Sequence, residues 1–127
     1  MRSWFGKNRE LLATIGVGTI DRLLQSAIRG RWAPVPLTAL SGRAVIVDEV
    51  HGYETHMSTL LDRLLWWLGY LGVTVILLSA TLPTSRRQDL VRHWRAGALR
   101  CTPDETPPVA ARVGFFPQVQ WLARPER

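Results

Sequence analysis

The chain has 127 residues, 46% of them hydrophobic and 20% charged, which permits one packed domain or a large part of one and excludes wholesale disorder. Its 16 basic residues outweigh 10 acidic ones for a formal charge of +6, and Lys7 is the sole lysine among arginines. That balance favours a polyanionic partner, nucleic acid among them, although an arginine-rich coding bias produces the same count. A single cysteine, Cys101, excludes an internal disulfide and a thiolate metal cluster, which reads as a spectator thiol in a reducing cytoplasm.

Taken in chain order, the polar and basic stretch 1–9 is not expected to be a signal peptide. A short strand is expected over 11–17 and a helix over 20–28, followed by a proline-containing loop over 31–42. Residues 43–48 form a second expected strand, because Ala44, Val45, Ile46 and Val47 are a continuous apolar run. After a polar corner, Met57, Leu60, Leu61, Leu64, Leu65, Leu68 and Leu71 recur at helical spacing. They predict a helix over 56–71 with Thr55 as its N-cap. Trp66 and Trp67 sit on or beside its apolar face and read as core.

A third strand is expected over 73–79, and a last helix from Thr84 to about Ala96, stopped by Gly97. Arg86, Arg87, Arg92 and Arg95 give that helix a basic, solvated face. The uncharged run from Leu64 to Ser85 is long enough to cross a bilayer. It changes from helical to strand-like patterning at Gly69 and Gly72, so it is not one spanning element, and no membrane association is expected. Residues 98–127, with Pro103, Pro107, Pro108, Pro117 and Pro125, read as an irregular connector.

Strands alternating with helices imply an α/β fold with a parallel sheet, right-handed crossovers and helices on both faces. In such sheets ligands gather beyond the carboxyl ends of the strands. Two polar groups stand there: Asp48-Glu49-Val50-His51 after the second strand, and Ser79-Ala80-Thr81 after the third. A carboxylate at a strand end suits Mg²⁺, a hard cation that keeps several waters, and Asp48 is the candidate ligand. Glu49 is the adjacent candidate for a base that orients and deprotonates water. His51 is placed to relay contacts towards Ser79 and Thr81. An acidic pair alone can merely solvate a strand end. Two apolar strands ending in DEVH and SAT, joined by a crossover helix, are a more specific combination.

This ordered set resembles superfamily-2 helicases, in which DExH is motif II and SAT is motif III, the element coupling nucleotide hydrolysis to nucleic-acid handling. Val17-Gly18-Thr19-Ile20-Asp21, Leu40-Ser41-Gly42, Asp62-Arg63, Trp66-Trp67-Leu68 and LLSATLP over 77–83 sharpen it. With Trp4-Phe5-Gly6 and Phe116-Pro117, nearly the whole chain is similar to the CRISPR-associated helicase–nuclease of type I systems. Gly52 and Glu54 depart from that family's pattern, where alanine and aspartate are usual.

The resemblance implies a partial RecA-like domain of the P-loop NTPase type over 1–97, without its Walker A strand and loop, followed by the connector over 98–127. It implies ATP and Mg²⁺ as cofactors, with Asp48, Glu49 and His51 catalytic and Ser79, Ala80 and Thr81 coupling. Gly18 and Thr19 correspond to motif Ib, which contacts the backbone of single-stranded DNA; an ordinary helix start with Thr19 as cap accounts for them equally well. Further implied partners are an RNA-guided surveillance complex and the remaining helicase and HD nuclease domains. The one Gly-Lys pair, Gly6-Lys7, is followed by Asn8 and is no Walker A motif. The isolated chain is therefore expected to lack ATPase activity. A DEAH-type RNA helicase, a restriction translocase and an inactive or split remnant stay open as alternatives.

Overall fold

The computed structural model describes residues 15–21, 23–24, 37–52 and 55–108. Its order is strand β1 (Ala44–Val47), helix α1 (Thr55–Tyr70), strand β2 (Thr74–Leu77) and helix α2 (Thr84–Leu99), with single 3-10 turns at Val50–Gly52 and Pro103–Glu105. The strands pair in parallel, Ala44 opposite Thr74 and Val47 opposite Leu77. The helix between them is the crossover that parallel neighbours need, since no tight turn can join them. The α/β class and both strands agree with the sequence expectation. No helix among the described residues is long and apolar enough to cross a membrane.

Helix α1 forms because its leucines return every three or four residues and supply one buried stripe. Leu61, Leu64, Leu65 and Leu68 are all at or below 1% exposure, and they share one cluster with Val47, Val50, Val73 and Leu90. Burying each such side chain contributes roughly 1.5–3 kcal/mol before entropy is counted. The helix stops in a Schellman arrangement. Gly72 adopts φ 69°, its N–H donates to the Gly69 carbonyl at 3.0 Å, and the Val73 N–H donates to the Leu68 carbonyl at 2.9 Å. Val73, fully buried, then leads directly into β2. Thr55, expected to cap α1, is its first helical residue.

The sheet has unequal faces. Val47 joins the leucine cluster, whereas Ile46 and Ile76, paired across the ladder on the opposite face, are 63% and 43% exposed, and Leu78 beyond them is 46% exposed. Helices on both faces were expected; among the described residues, the opposite face carries no such cover. Ile15 and Val17, placed by expectation in a first strand, are exposed and not in strand conformation. Residues 20, 21, 23 and 24 are helical as expected, and Leu24 reaches the core. The rest of that expected strand and helix, and the tail beyond 108, fall outside the described residues.

Gly97 does not stop α2. The helix continues to Leu99 and closes with Arg100 at φ 61°, whose N–H and that of Cys101 donate to the Gly97 and Ala96 carbonyls. Gly97 is instead a point of contact. A Cβ there would collide with the Trp66 carbonyl of α1, and a Cβ at Gly69 would collide with the Trp94 carbonyl of α2. The two helices thus touch backbone to backbone. Around that contact Trp66 Nε1 donates to the Cys101 carbonyl at 3.0 Å and Trp94 Nε1 to the Val73 carbonyl at 3.1 Å. The tryptophans of α1, expected in the core, are half-buried, Trp67 packing against the leucine cluster: Trp66 stacks on Tyr70, and Trp67 meets both edge-on.

Gly97→Ala should destabilise the chain by about 1–3 kcal/mol, because overpacking outweighs a helix-propensity gain of about 1 kcal/mol. Gly18→Ala, where an added methyl meets nothing within 4 Å, serves as the neutral comparison. Equal urea midpoints for the two variants would contradict the backbone contact.

Candidate functional site

The parallel ladder does not end with the strands. Beyond Val47 and Leu77, the Leu78 N–H donates to the Val47 carbonyl at 2.8 Å, and the Val50 N–H donates to the Leu78 carbonyl at 3.1 Å. These bonds carry the pairing into both polar corners. They hold Asp48–His51 beside Ser79 at the carboxyl edge, where ligands gather in sheets of this kind.

The corner after β1 turns through Glu49, which adopts φ 57° although it is not glycine. A left-handed backbone costs an L-residue roughly 1–2 kcal/mol, and such costs collect at functional sites. Two features hold the turn. The Glu49 N–H donates to Asp48 Oδ1 at 2.9 Å, and Val50, which is buried, anchors the next residue in the core. Glu49 is thereby turned back towards its own chain, with its carboxylate 3.1 Å from His51 Nε2. The other ring nitrogen, Nδ1, lies 3.1 Å from Ser79 Oγ.

Asp48, Glu49, His51 and Ser79 therefore come together as the sequence predicted. Thr81, also expected within reach of His51, is exposed and makes no hydrogen bond to it, as is the case for Ala80. Gly18 and Thr19 are exposed, and Gly18 has open space where a side chain would be, so packing does not require glycine there. The Glu49 side chain is 71% exposed and His51 30%, so the cluster is open to an incoming molecule.

No group of three His, Cys, Asp or Glu residues among the described residues could cage an ion. A lone strand-end carboxylate suits Mg²⁺, which takes one or two carboxylates and completes its shell with water and phosphate oxygens. Asp48 would hold it.

The expected basic face of α2 is mostly engaged elsewhere. Arg86 Nη2 lies 2.8 Å from Asp62 Oδ1 and donates to the Ser58 carbonyl at 3.2 Å, tying the start of α2 to α1. Arg92 lies 3.7 Å from Asp89, and Arg95 donates to the Pro107 carbonyl at 3.3 Å. Sequence spacing could not reveal the Arg86–Asp62 pair, because its partners lie on different helices.

No family model matches the chain. Among known proteins it is 43% identical, over 93 residues, to the CRISPR-associated endonuclease/helicase Cas3 of Thermus thermophilus. Among solved structures, the T. fusca Cas3-ATP crystal structure superposes with a TM-score of 0.75 at 39% identity over 89% of this chain. This chain is homologous to a segment of Cas3. A CRISPR RNA-guided surveillance complex in a pre-nicking state contains a chain that superposes with a TM-score of 0.72 at 40% identity over 85% of the present one. The chain spans 10% of the Thermus Cas3 and 13% of each of those structural chains, while 72% of it is covered by the Thermus match. The Cas3 homology and the two-stranded parallel sheet agree on a RecA-like fragment.

Because the ladder holds the corner, His51→Ala should cost less than about 1 kcal/mol of stability, the ordinary value of exposed ion pairs. Denaturant unfolding monitored by tryptophan fluorescence checks this. A loss of several kcal/mol would mean that the side-chain contacts, and not the backbone, maintain the edge.

Proposed function

We propose that this chain is part of the first motor domain of a Cas3-type DNA helicase of a type I CRISPR defence nuclease, and that its DEVH and SAT groups serve ATP hydrolysis coupled to movement on single-stranded DNA. The observation carrying this reading is the convergence of Asp48, Glu49, His51 and Ser79 at one sheet edge, together with the Cas3 homology. The homology to a chain in an RNA-guided surveillance complex supports such a complex as partner, alongside the remaining motor and HD nuclease domains.

In this reading Asp48 would hold Mg²⁺, which would supply positive charge to offset that of the phosphates. Glu49 is the base: its exposed carboxylate orients a water and accepts the proton as that water attacks the γ-phosphorus, and the bond to the bridging oxygen breaks with ADP as the leaving group. His51 keeps the carboxylate at its post, and Ser79 joins that contact to the end of β2. Gly18 and Thr19 would meet DNA phosphates through a backbone N–H and a hydroxyl, contacts that position the strand without reading bases. Pairing with the guide supplies sequence recognition, so gripping the backbone is sufficient.

The isolated chain is expected to show no ATPase, because its sequence contains no Gly-Lys-Ser/Thr loop of the kind that cradles phosphates.

A complete motor containing this segment tests the assigned roles. Glu49→Gln should lower turnover by about 10²–10⁴-fold while preserving ATP binding, as loss of a general base does. Asp48→Ala should instead weaken Mg²⁺-dependent ATP binding. Equal loss of nucleotide affinity in both variants, or unchanged turnover in both, contradicts the assigned roles.

A further inference from the structure

Helix α1 carries a second stripe besides its leucines. Asp62, Arg63, Trp66 and Trp67 form two pairs four residues apart, so one side of the helix presents them together. They wall an open cleft of about 430 Å³, which His93 of α2 and Pro103 of the following turn also line. That volume falls within the roughly 300–1,000 Å³ of small-molecule sites. The cleft is remote from the DEVH edge. Helix α1 leaves the corner after β1 and returns the chain to the start of β2, so its last turns, with Trp66 and Trp67, stand beside the amino ends of the strands.

Shape and charge select among ligands. Trp66 and Trp67 meet at 89° with their ring centroids 5.0 Å apart, which makes a corner of two flat walls. Both rings are half-buried and keep some surface open to the cleft. The Trp66 N–H is spent on the Cys101 carbonyl, so this ring offers a stacking surface and no further hydrogen bond. Asp62 is the one carboxylate of the lining, and Arg86 already answers it at 2.8 Å. Arg63 is exposed and makes no ion pair among the described residues. On the flank, exposed Arg100 lies 4.9 Å over Tyr70, the ring on which Trp66 stacks. The surplus charge is therefore positive, beside aromatic walls that accept a planar group.

A ligand that is planar at one end and anionic at the other answers both features, and a nucleotide of a flexible strand is such a group. We propose that this cleft is a second contact for single-stranded nucleic acid, in which one base lies against Trp66 and Trp67 while Arg63 meets a neighbouring phosphate. Every base has a π-face, so the contact is indifferent to sequence. It lies at the end of the sheet opposite the candidate nucleotide edge, and it stands whether or not that edge hydrolyses ATP.

The full chain is mixed with an oligothymidylate of about 12 nucleotides in which some thymidines are replaced by 5-bromodeoxyuridine, and irradiated. Tryptic cleavage after Arg63 and Arg86 isolates residues 64–86, which hold Trp66 and Trp67 and none of the other four tryptophans. The adduct is expected on that peptide. By anisotropy of the labelled strand, Arg63→Gln should weaken binding about fivefold at low salt and flatten the salt dependence by about one phosphate contact. Arg92→Gln removes the same charge outside the cleft and should leave both nearly unchanged. Adducts found only on other peptides, or equal losses in the two variants, mean diffuse charge attraction and overturn the proposal. Displacement of the strand by an equal concentration of thymidine monophosphate or ATP overturns it in favour of a free-nucleotide site. An acidic, tyrosine-containing peptide that binds through Arg63 while the strand does not bind overturns it in favour of a protein partner.

Discussion

Parallel strands lie side by side only if the chain between them makes a long return, and here the return is a single helix. Everything at the functional edge depends on the register that this return permits. With Val47 opposite Leu77, the residues just beyond each strand are brought level, and the backbone bonds of Leu78 to Val47 and Val50 extend the pairing past both ends. A slip of one residue would turn Val45 and Val47 out of the leucine cluster and Ile46 into it. It would also set the two polar corners out of step. Packing and chemistry thus constrain the register in the same direction.

The crossover helix is held from its other side by α2. Backbone contact at Gly69 and Gly97 brings the two helices closer than side chains would allow, and the tryptophan N–H groups then reach carbonyls at the helix end and the strand entry. The Trp94 bond to Val73 is notable mechanically, because Val73 is where α1's cap passes into β2. The helix pair is consequently coupled to the strand that leads to Ser79. Arg86, bound to Asp62 and the Ser58 carbonyl, adds a polar tie at the start of α2.

Arg86, Arg92 and Arg95 of α2 direct their guanidinium groups at carboxylates and carbonyls of the same chain. Arg100, held in a left-handed conformation at the helix end, lies 4.9 Å over the Tyr70 ring. The polar groups best placed to meet an outside molecule are those at the strand ends, where two carboxylates, an imidazole and a hydroxyl share an open edge.

The sequence by itself determined both strands, both helices, the parallel pairing and the candidate edge, because each is written locally. Apolar runs, the helical return of leucines and polar groups directly after strands need only neighbours a few residues apart. The ordered DEVH and SAT set also carried the family resemblance that the Cas3 homology bears out. Tertiary structure decided what depends on partners distant in sequence. A glycine that ends a helix and one that admits a second helix look alike in sequence, and only the crossing at Trp66 assigns Gly97 to the latter. Ser79 and Thr81 are chemically similar, yet the extended ladder gives Ser79 to His51. Ile46 and Val47 belong to one apolar run, and the position of the helices buries one and exposes the other. Local patterning specifies which elements form; the distances between elements, set by packing, specify which of their side chains meet.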